Sequence, residues 1–206
     1  MNSERIKALA SFIDKNDSVL DVGCDHGYLC IYLRINNLCK NVYASDVSEN
    51  ALNYAINNFK KYNLDIKTFV SDGFNNINVK FNTAVIAGMG TSTIINILNN
   101  KKRPDKLILS SNNEQYKLRY NLNKIGYKIV EEKIVLENNH YYNILHYVKG
   151  NQKLKKKEFK YGISNNKDYY KYLYNKNIEL LKKVPLKKKI ILLYECIELK
   201  HLIEKK

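Results

Sequence analysis

Residues 17–33 read DSVLDVGCDHGYLCIYL: an apolar run stopping at an acid, a short turn with two glycines and a second acid, then a helix start. Val19, Leu20 and Val22 suit a parallel strand buried on both faces, ending at Asp21 and Gly23 beside a ligand crevice. Glycines at 23 and 27 remove side chains where the backbone folds sharply or passes close to a bound group. The helix that follows aims its unpaired amides and the positive end of its dipole back at the crevice. That order of parts points to a nucleotide-like cofactor.

Outward from this turn, residues 1–150 alternate strand and helix signals with short connections, the pattern of a doubly wound α/β sheet. Strands are expected at 18–22, 41–46, 66–70, 82–87 and 106–110, and helices at about 27–36, 49–62, 91–99 and 114–124. Ser3 is placed to cap a short leading helix whose Ile6, Leu9, Ala10 and Ile13 share a face. Two longer β runs, 127–136 and 141–148, with a short link, read as an antiparallel pair closing a mostly parallel, Rossmann-like sheet. After a basic linker at 153–160, helices are expected at about 166–183 and 186–204, broken by Val184-Pro185. Tyr170, Tyr174, Ile178 and Leu181 form one apolar stripe; Ile190, Leu193, Tyr194 and Ile197 form another. The expectation is a domain over 1–150 and a basic helical hairpin over 151–206.

Three strand ends carry acids: Asp21, Asp46 and Asp72. Asp46 lies 19 residues after Gly27, near the ~20-residue offset at which a carboxylate reaches a ribose hydroxyl pair. Asp72 suits an adenine amino group farther along the crevice. A dinucleotide site wants G-x-G-x-x-G, so that backbone can approach a pyrophosphate. Here Asp25 stands in place of the middle glycine and would repel one. S-adenosylmethionine has no phosphate, and its sulfonium and amino groups are cationic, so acids in this loop favour it over NAD.

The chain has 206 residues and a formal net charge of +15. Residues 1–149 hold 19 basic and 14 acidic residues, whereas 150–206 hold 16 and 6, so most of the excess positive charge sits in the tail. An A/T-rich codon bias raises lysine everywhere but does not produce that asymmetry, which favours a polyanion partner. No apolar run approaches a membrane span and the N-terminus lacks a signal-peptide core, so a cytoplasmic protein without membrane partner is expected. Cys24, Cys30, Cys39 and Cys196 show neither CxxC pairing nor zinc spacing with the four histidines, so no metal site is expected.

DVGCDHGYL (21–29), ASDV (44–47), SDG (71–73), AGMG (87–90), LILSSN (107–112) and YYNIL (141–145) resemble, in that order, the bacterial tRNA adenine-22 N1-methyltransferases. The resemblance spans roughly residues 4–148 and continues in kind through the helical tail. It implies a class I methyltransferase fold, S-adenosyl-L-methionine as donor, and N1 of adenine 22 in the tRNA D-arm as acceptor. Along these motifs the cofactor-binding candidates are Asp21, Gly23, Cys24, Asp25, His26, Gly27, Asp46, Val47, Asp72, Gly73, Ala87 and Gly88. Met89, Gly90, Asn112 and Tyr142 are the candidates for the base pocket. The chain departs from the family pattern at Thr91, where AGMGG usually ends in glycine, and at Ser110-Ser111-Asn112, where QPN usually stands. Its helical tail is also shorter than usual. No obligate protein partner is implied.

Adenine N1 carries a free lone pair, so methyl transfer needs no prior deprotonation, and what develops is positive charge on the base. Asp25 is the candidate catalytic group, through a hydrogen bond to N6; contact with the methionine amino group alone is the alternative. His26 suits either a hydrogen bond to a ligand or a structural bond at the helix start, and Tyr28 and Tyr142 suit stacking on an extruded base or core packing. Arg5 and the tail lysines Lys155, Lys156, Lys157, Lys160, Lys182, Lys183, Lys187, Lys188 and Lys189 are candidates for RNA phosphates. The rival readings are a methyltransferase of another substrate class and a non-catalytic RNA-binding module on the same fold.

Overall fold

In the computed structural model, which describes residues 3–99 and 103–205, β1 (Ser18–Val22) lies between β2 (Asn41–Asp46) and β4 (Thr83–Met89). β3 (Lys67–Val70) flanks β2, and β5 (Lys106–Ser111) flanks β4, all parallel. The chain then returns through β6 (Tyr127–Glu137) and β7 (His140–Lys149), and β7 pairs antiparallel with both β5 and β6. The resulting order is β3-β2-β1-β4-β5-β7-β6. Asn138 and Asn139 both take positive φ between β6 and β7, which matches the right-handed strand twist at a two-residue hairpin turn. Central burial follows from composition: Val19, Leu20, Val85, Ile86 and Ile108 are fully buried, as strands covered on both faces require.

Helices α1 (Glu4–Ala10), α2 (Tyr28–Ile35), α3 (Glu49–Lys61), α4 (Thr91–Leu98) and α5 (Gln115–Lys124) fall close to the ranges read from periodicity. Ser3 and Ser48 cap α1 and α3 by accepting from the Ile6 and Ala51 amides. The chain leaves β1 toward β2 on one side and places β4 on the other. The C-terminal ends of β1 and β4 therefore flank the topological switch point, where a crevice opens.

Lys156–Tyr161 form a helix, α6, where the basic run read as a linker. The Glu158 carboxylate accepts from the Lys155 amide at 2.6 Å, and the Arg119 guanidinium donates to the Phe159 carbonyl. Arg119 is also paired with Glu132 in a buried ion pair. Glu158 caps the helix from within the run, whereas Arg119 reaches it from a segment remote in sequence.

The chain divides into two compact units, Met1–Gly162 and Ile163–Lys206. The second holds α7 (Lys167–Leu181) and α8 (Leu186–Glu204), which pack on each other. The buried face of α8 is carried by Cys196 and Leu199, whereas Ile190, Leu193, Tyr194 and Ile197 are each more than half exposed. The apolar stripe expected at those four positions is thus not the packed one. Residues 190–199 (IILLYECIEL) are apolar on nearly every side, so spacing alone does not choose a face.

Candidate functional site

A cavity of about 570 Å³ opens at the C-terminal ends of β1, β2 and β4. Its floor is the turn after β1. The Gly23 and Cys24 amides both donate to the Ser45 carbonyl, at 2.8 and 3.0 Å, which ties this turn to β2. Gly23 has φ +72, a conformation that favours glycine, and the Met89 methyl occupies the space that a Cβ there would take. Asp25 also takes positive φ, and its amide donates to Asp46 Oδ2 at 3.2 Å. The Ser48 amide donates to Asp46 Oδ1 at 2.9 Å. Two amides therefore hold the Asp46 carboxylate while leaving lone pairs for a diol. Ser71 accepts from the Asn76 amide and donates to the Gly73 carbonyl, shaping the loop that brings Asp72 and Gly73 to the wall.

The wall is acidic. Asp21, Asp25, Asp46, Asp72 and Glu137 line it, and among the described residues Arg5 is its one guanidinium or ammonium group. Burial pushes the Asp21 carboxyl up to about 7, with the nearby Asp46 charge adding to it and the Cys30 thiol and Arg5 opposing it. Burial also raises the Cys24 and Cys30 thiols, which disfavours the reactive thiolate at both. Cys24 fills space in the turn. The arrangement suits a ligand with a diol and positive charge, and its excess of carboxylates disfavours a pyrophosphate.

The Asp25 side chain stands at the mouth, 74% exposed, with a carboxylate oxygen 3.8 Å from His26 Nε2. The His26 ring packs beside Tyr28 and Tyr54, at 5.6 and 5.8 Å between centroids, and its carbonyl accepts from Asn58. The cavity wall also includes Gly23, Cys24, His26, Tyr28, Val47, Ala87, Gly88 and Met89. Gly27 is not on the wall. A Cβ at Gly27 would stand 2.4 Å from Phe59 Cε1, so its role in this structure is to let α3 pack against the start of α2.

Tyr142 lies beside the cavity rather than on its wall, with the Arg5 guanidinium 4.8 Å from its ring centroid. Asn112 Nδ2 donates to the Gly88 carbonyl at 2.8 Å, which links the β5 end to the β4 end. Gly90 caps α4 without reaching the wall. Lys155, Lys156, Lys157 and Lys160 belong to α6 and its cap in the first unit. Lys182 and Lys183 lie in the turn between α7 and α8, and Lys187, Lys188 and Lys189 fill the first turn of α8 in the second unit. Ser3, Ile6 and Leu9 of α1 and Glu137 of β6 line the cavity without having been singled out. The Ile6/Leu9 spacing marks a packed face, but which cleft it covers is set by docking of α1.

Among the described residues no cluster of three or more His, Cys, Asp or Glu side chains is arranged to hold a metal ion. None of the described helices is long and apolar enough to cross a membrane.

Residues 2–145 match a family described as "Methyltransferase domain". A Mycoplasma genitalium protein with the provisional name of tRNA methyltransferase is 36% identical over 137 residues, covering 63% of this chain and 62% of that protein. The tRNA (adenine(22)-N(1))-methyltransferase of Bacillus subtilis is 28% identical over 137 residues, with 63% and 58% coverage. The chain thus spans less than two thirds of the length of these curated relatives. Among solved structures, that of TrmK from M. capricolum in complex with S-adenosyl-homocysteine superposes with a TM-score of 0.86 at 28% identity. That match covers 99% of this chain and 98% of the other.

Proposed function

The chain belongs to the methyltransferase-domain family, and from that premise we propose that it transfers a methyl group from S-adenosyl-L-methionine to N1 of adenine 22 in the D-arm of tRNA. The observation that carries this reading is the acid-lined cavity, in which Asp46 is held by two amides while Asp21 is buried and Asp25 stands open at the mouth. When bound, S-adenosyl-L-methionine supplies the methyl group from a sulfonium centre. Asp46 would accept from its ribose hydroxyls, Asp72 would face its adenine, and Asp21 would balance its positive charge. Similarity to proteins named for tRNA methylation, one of them for adenine 22, supports the choice of acceptor.

On the acceptor side, adenine N1 reacts through its own lone pair, so the chain need not remove a proton first. Its residues orient the ring and stabilise the positive charge that grows on it. Asp25 accepts a hydrogen bond from N6 and faces the developing charge. Arg5 and Tyr142 form a flat edge on which an extruded base rests, and Asn112 keeps the β4 and β5 ends together beside it. The α6 and hairpin-tip lysines neutralise phosphates without reading sequence.

The test is methylation of an unmodified tRNA transcript, with the product mapped by mass spectrometry. The expected product is a single N1-methyladenine at position 22, lost when that base is replaced. Equal methyl incorporation into the replaced transcript would overturn the reading.

A further inference from the structure

Tyr116 and Tyr120 lie one turn apart on α5, with ring planes 10° from parallel and centroids 6.2 Å apart, and they are 48% and 49% exposed. Phe159 of α6 meets both edge-on, at 6.2 and 6.0 Å. The core contacts of α5 are made instead by Leu118 and Leu122, both fully buried. The three rings therefore form a ridge on the solvent side of the first unit. Lys124, one turn beyond Tyr120, and Lys156 and Lys157 of α6 are exposed around it. The nearby acids are engaged: Glu114 with Lys117, and Glu158 with the Lys155 amide. The result is an aromatic surface with a positive border.

Within a helix, a tyrosine pair at this spacing stabilises by only a few tenths of a kcal/mol, and a polar pair does as well. Exposed rings interleaved with lysines are what single-stranded nucleic acid binds: bases stack on the rings while ammonium groups meet the phosphates. Position agrees with this. The Gln115 side chain donates to the Ser111 carbonyl, so the ridge starts at the C-terminal end of β5, beside β4, whose end lines the cavity.

We propose that Tyr116, Tyr120 and Phe159 form a stacking platform for unpaired nucleotides of the RNA substrate, flanked by Lys124, Lys156 and Lys157. This assignment rests on the reading of the substrate as tRNA. The platform takes nucleotides beyond the methylated base and so sets RNA affinity rather than the chemical step.

The experiment compares wild type, Y116A/Y120A, Y116F/Y120F and K156A/K157A. The probe is a fluorescein-labelled unmodified tRNA transcript, with affinity measured across a salt series and thermal melting checked for each variant. The alanine pair is expected to weaken binding roughly ten-fold per ring with an unchanged salt slope. The phenylalanine pair is expected to bind as wild type. The lysine pair should flatten the salt slope by about one unit per lost phosphate contact. S-adenosyl-L-methionine binding should hold in all of them, and kcat at saturating tRNA should hold in the two tyrosine variants. RNA affinity of Y116A/Y120A within two-fold of wild type overturns the platform, as does a change only in oligomeric state on sedimentation, which would mark a self-association surface. Because binding is read without turnover, failure of the methylation assay strikes the acceptor assignment and leaves this test intact.

Discussion

Thr91 Oγ1 lies 2.7 Å from Ser111 Oγ, so the two places where the chain departs from the AGMGG and QPN patterns are in direct contact. Thr91 opens α4 after the β4 end, and Ser111 closes β5. Thr91 Oγ1 also donates to the Asn113 carbonyl at 2.7 Å, and the Thr91 amide donates to Asn113 Oδ1 at 2.9 Å. The pair braces the two loops that carry Met89, Gly90 and Asn112.

This pairing predicts coupled stability. Ser111→Ala and Thr91→Val should each cost about 1 kcal/mol, and the double variant scarcely more than either, with an interaction of about 0.5–1.5 kcal/mol. Urea unfolding of the four proteins measures it. Strictly additive losses would show that the two hydroxyls do not depend on each other.

Asp25→Asn preserves shape and hydrogen bonding but removes the negative charge at the mouth. If the carboxylate stabilises charge on the base, single-turnover methyl transfer should fall about 100-fold or more, with tRNA affinity unchanged. Calorimetric titration with S-adenosyl-L-methionine separates the roles. A loss confined to cofactor affinity, with transfer intact at saturation, assigns Asp25 to the cofactor alone.

Asp21 makes stability and ligand affinity pH-dependent. Its folded pKa is raised from 3.8 to about 7, so between those values the folded state holds a proton that the unfolded state has released. Stability from this group is full below about pH 4, declines as pH rises toward 7, and is level above that. Asp21→Asn should remove that decline from the pH profile of the urea midpoint. A cationic ligand favours the carboxylate, so S-adenosyl-L-methionine affinity should rise up to about pH 7 with proton release on binding. Identical profiles for wild type and Asp21→Asn would refute both expectations.

Lys187, Lys188 and Lys189 crowd the first turn of α8, where the helix dipole disfavours positive charge, whereas Lys182 and Lys183 follow the end of α7, where it favours it. Changing Lys182, Lys183, Lys187, Lys188 and Lys189 to glutamine should leave melting unchanged or raise it. tRNA binding should weaken, and its salt dependence should shallow. A truncation for the same purpose belongs after Gly162. A cut at 153 would remove the Phe159 carbonyl and strip α6 from the buried Arg119–Glu132 pair. Unaltered RNA affinity in the glutamine variant would return these lysines to a solvated surface.

The sequence by itself determined the strand–turn–helix at 17–33, the alternation around it and the acids at three strand ends. Those features are written in local spacing: apolar runs, a glycine-bounded turn, a carboxylate at each strand terminus. Only the tertiary structure decided what joins distant positions. The missing Cβ of Gly27 makes room for Phe59 rather than for a ligand. Burial of β1 pushes the Asp21 carboxyl up, a property of the sheet and not of the residue. The Phe159 carbonyl of α6 finds its partner in Arg119, forty residues earlier, and α8 turns Cys196 and Leu199 inward although its other faces also carry apolar residues. Periodicity reports which side chains share a face. Which face is buried, and which charge survives there, depends on free energies of packing and desolvation that arise only when remote segments meet.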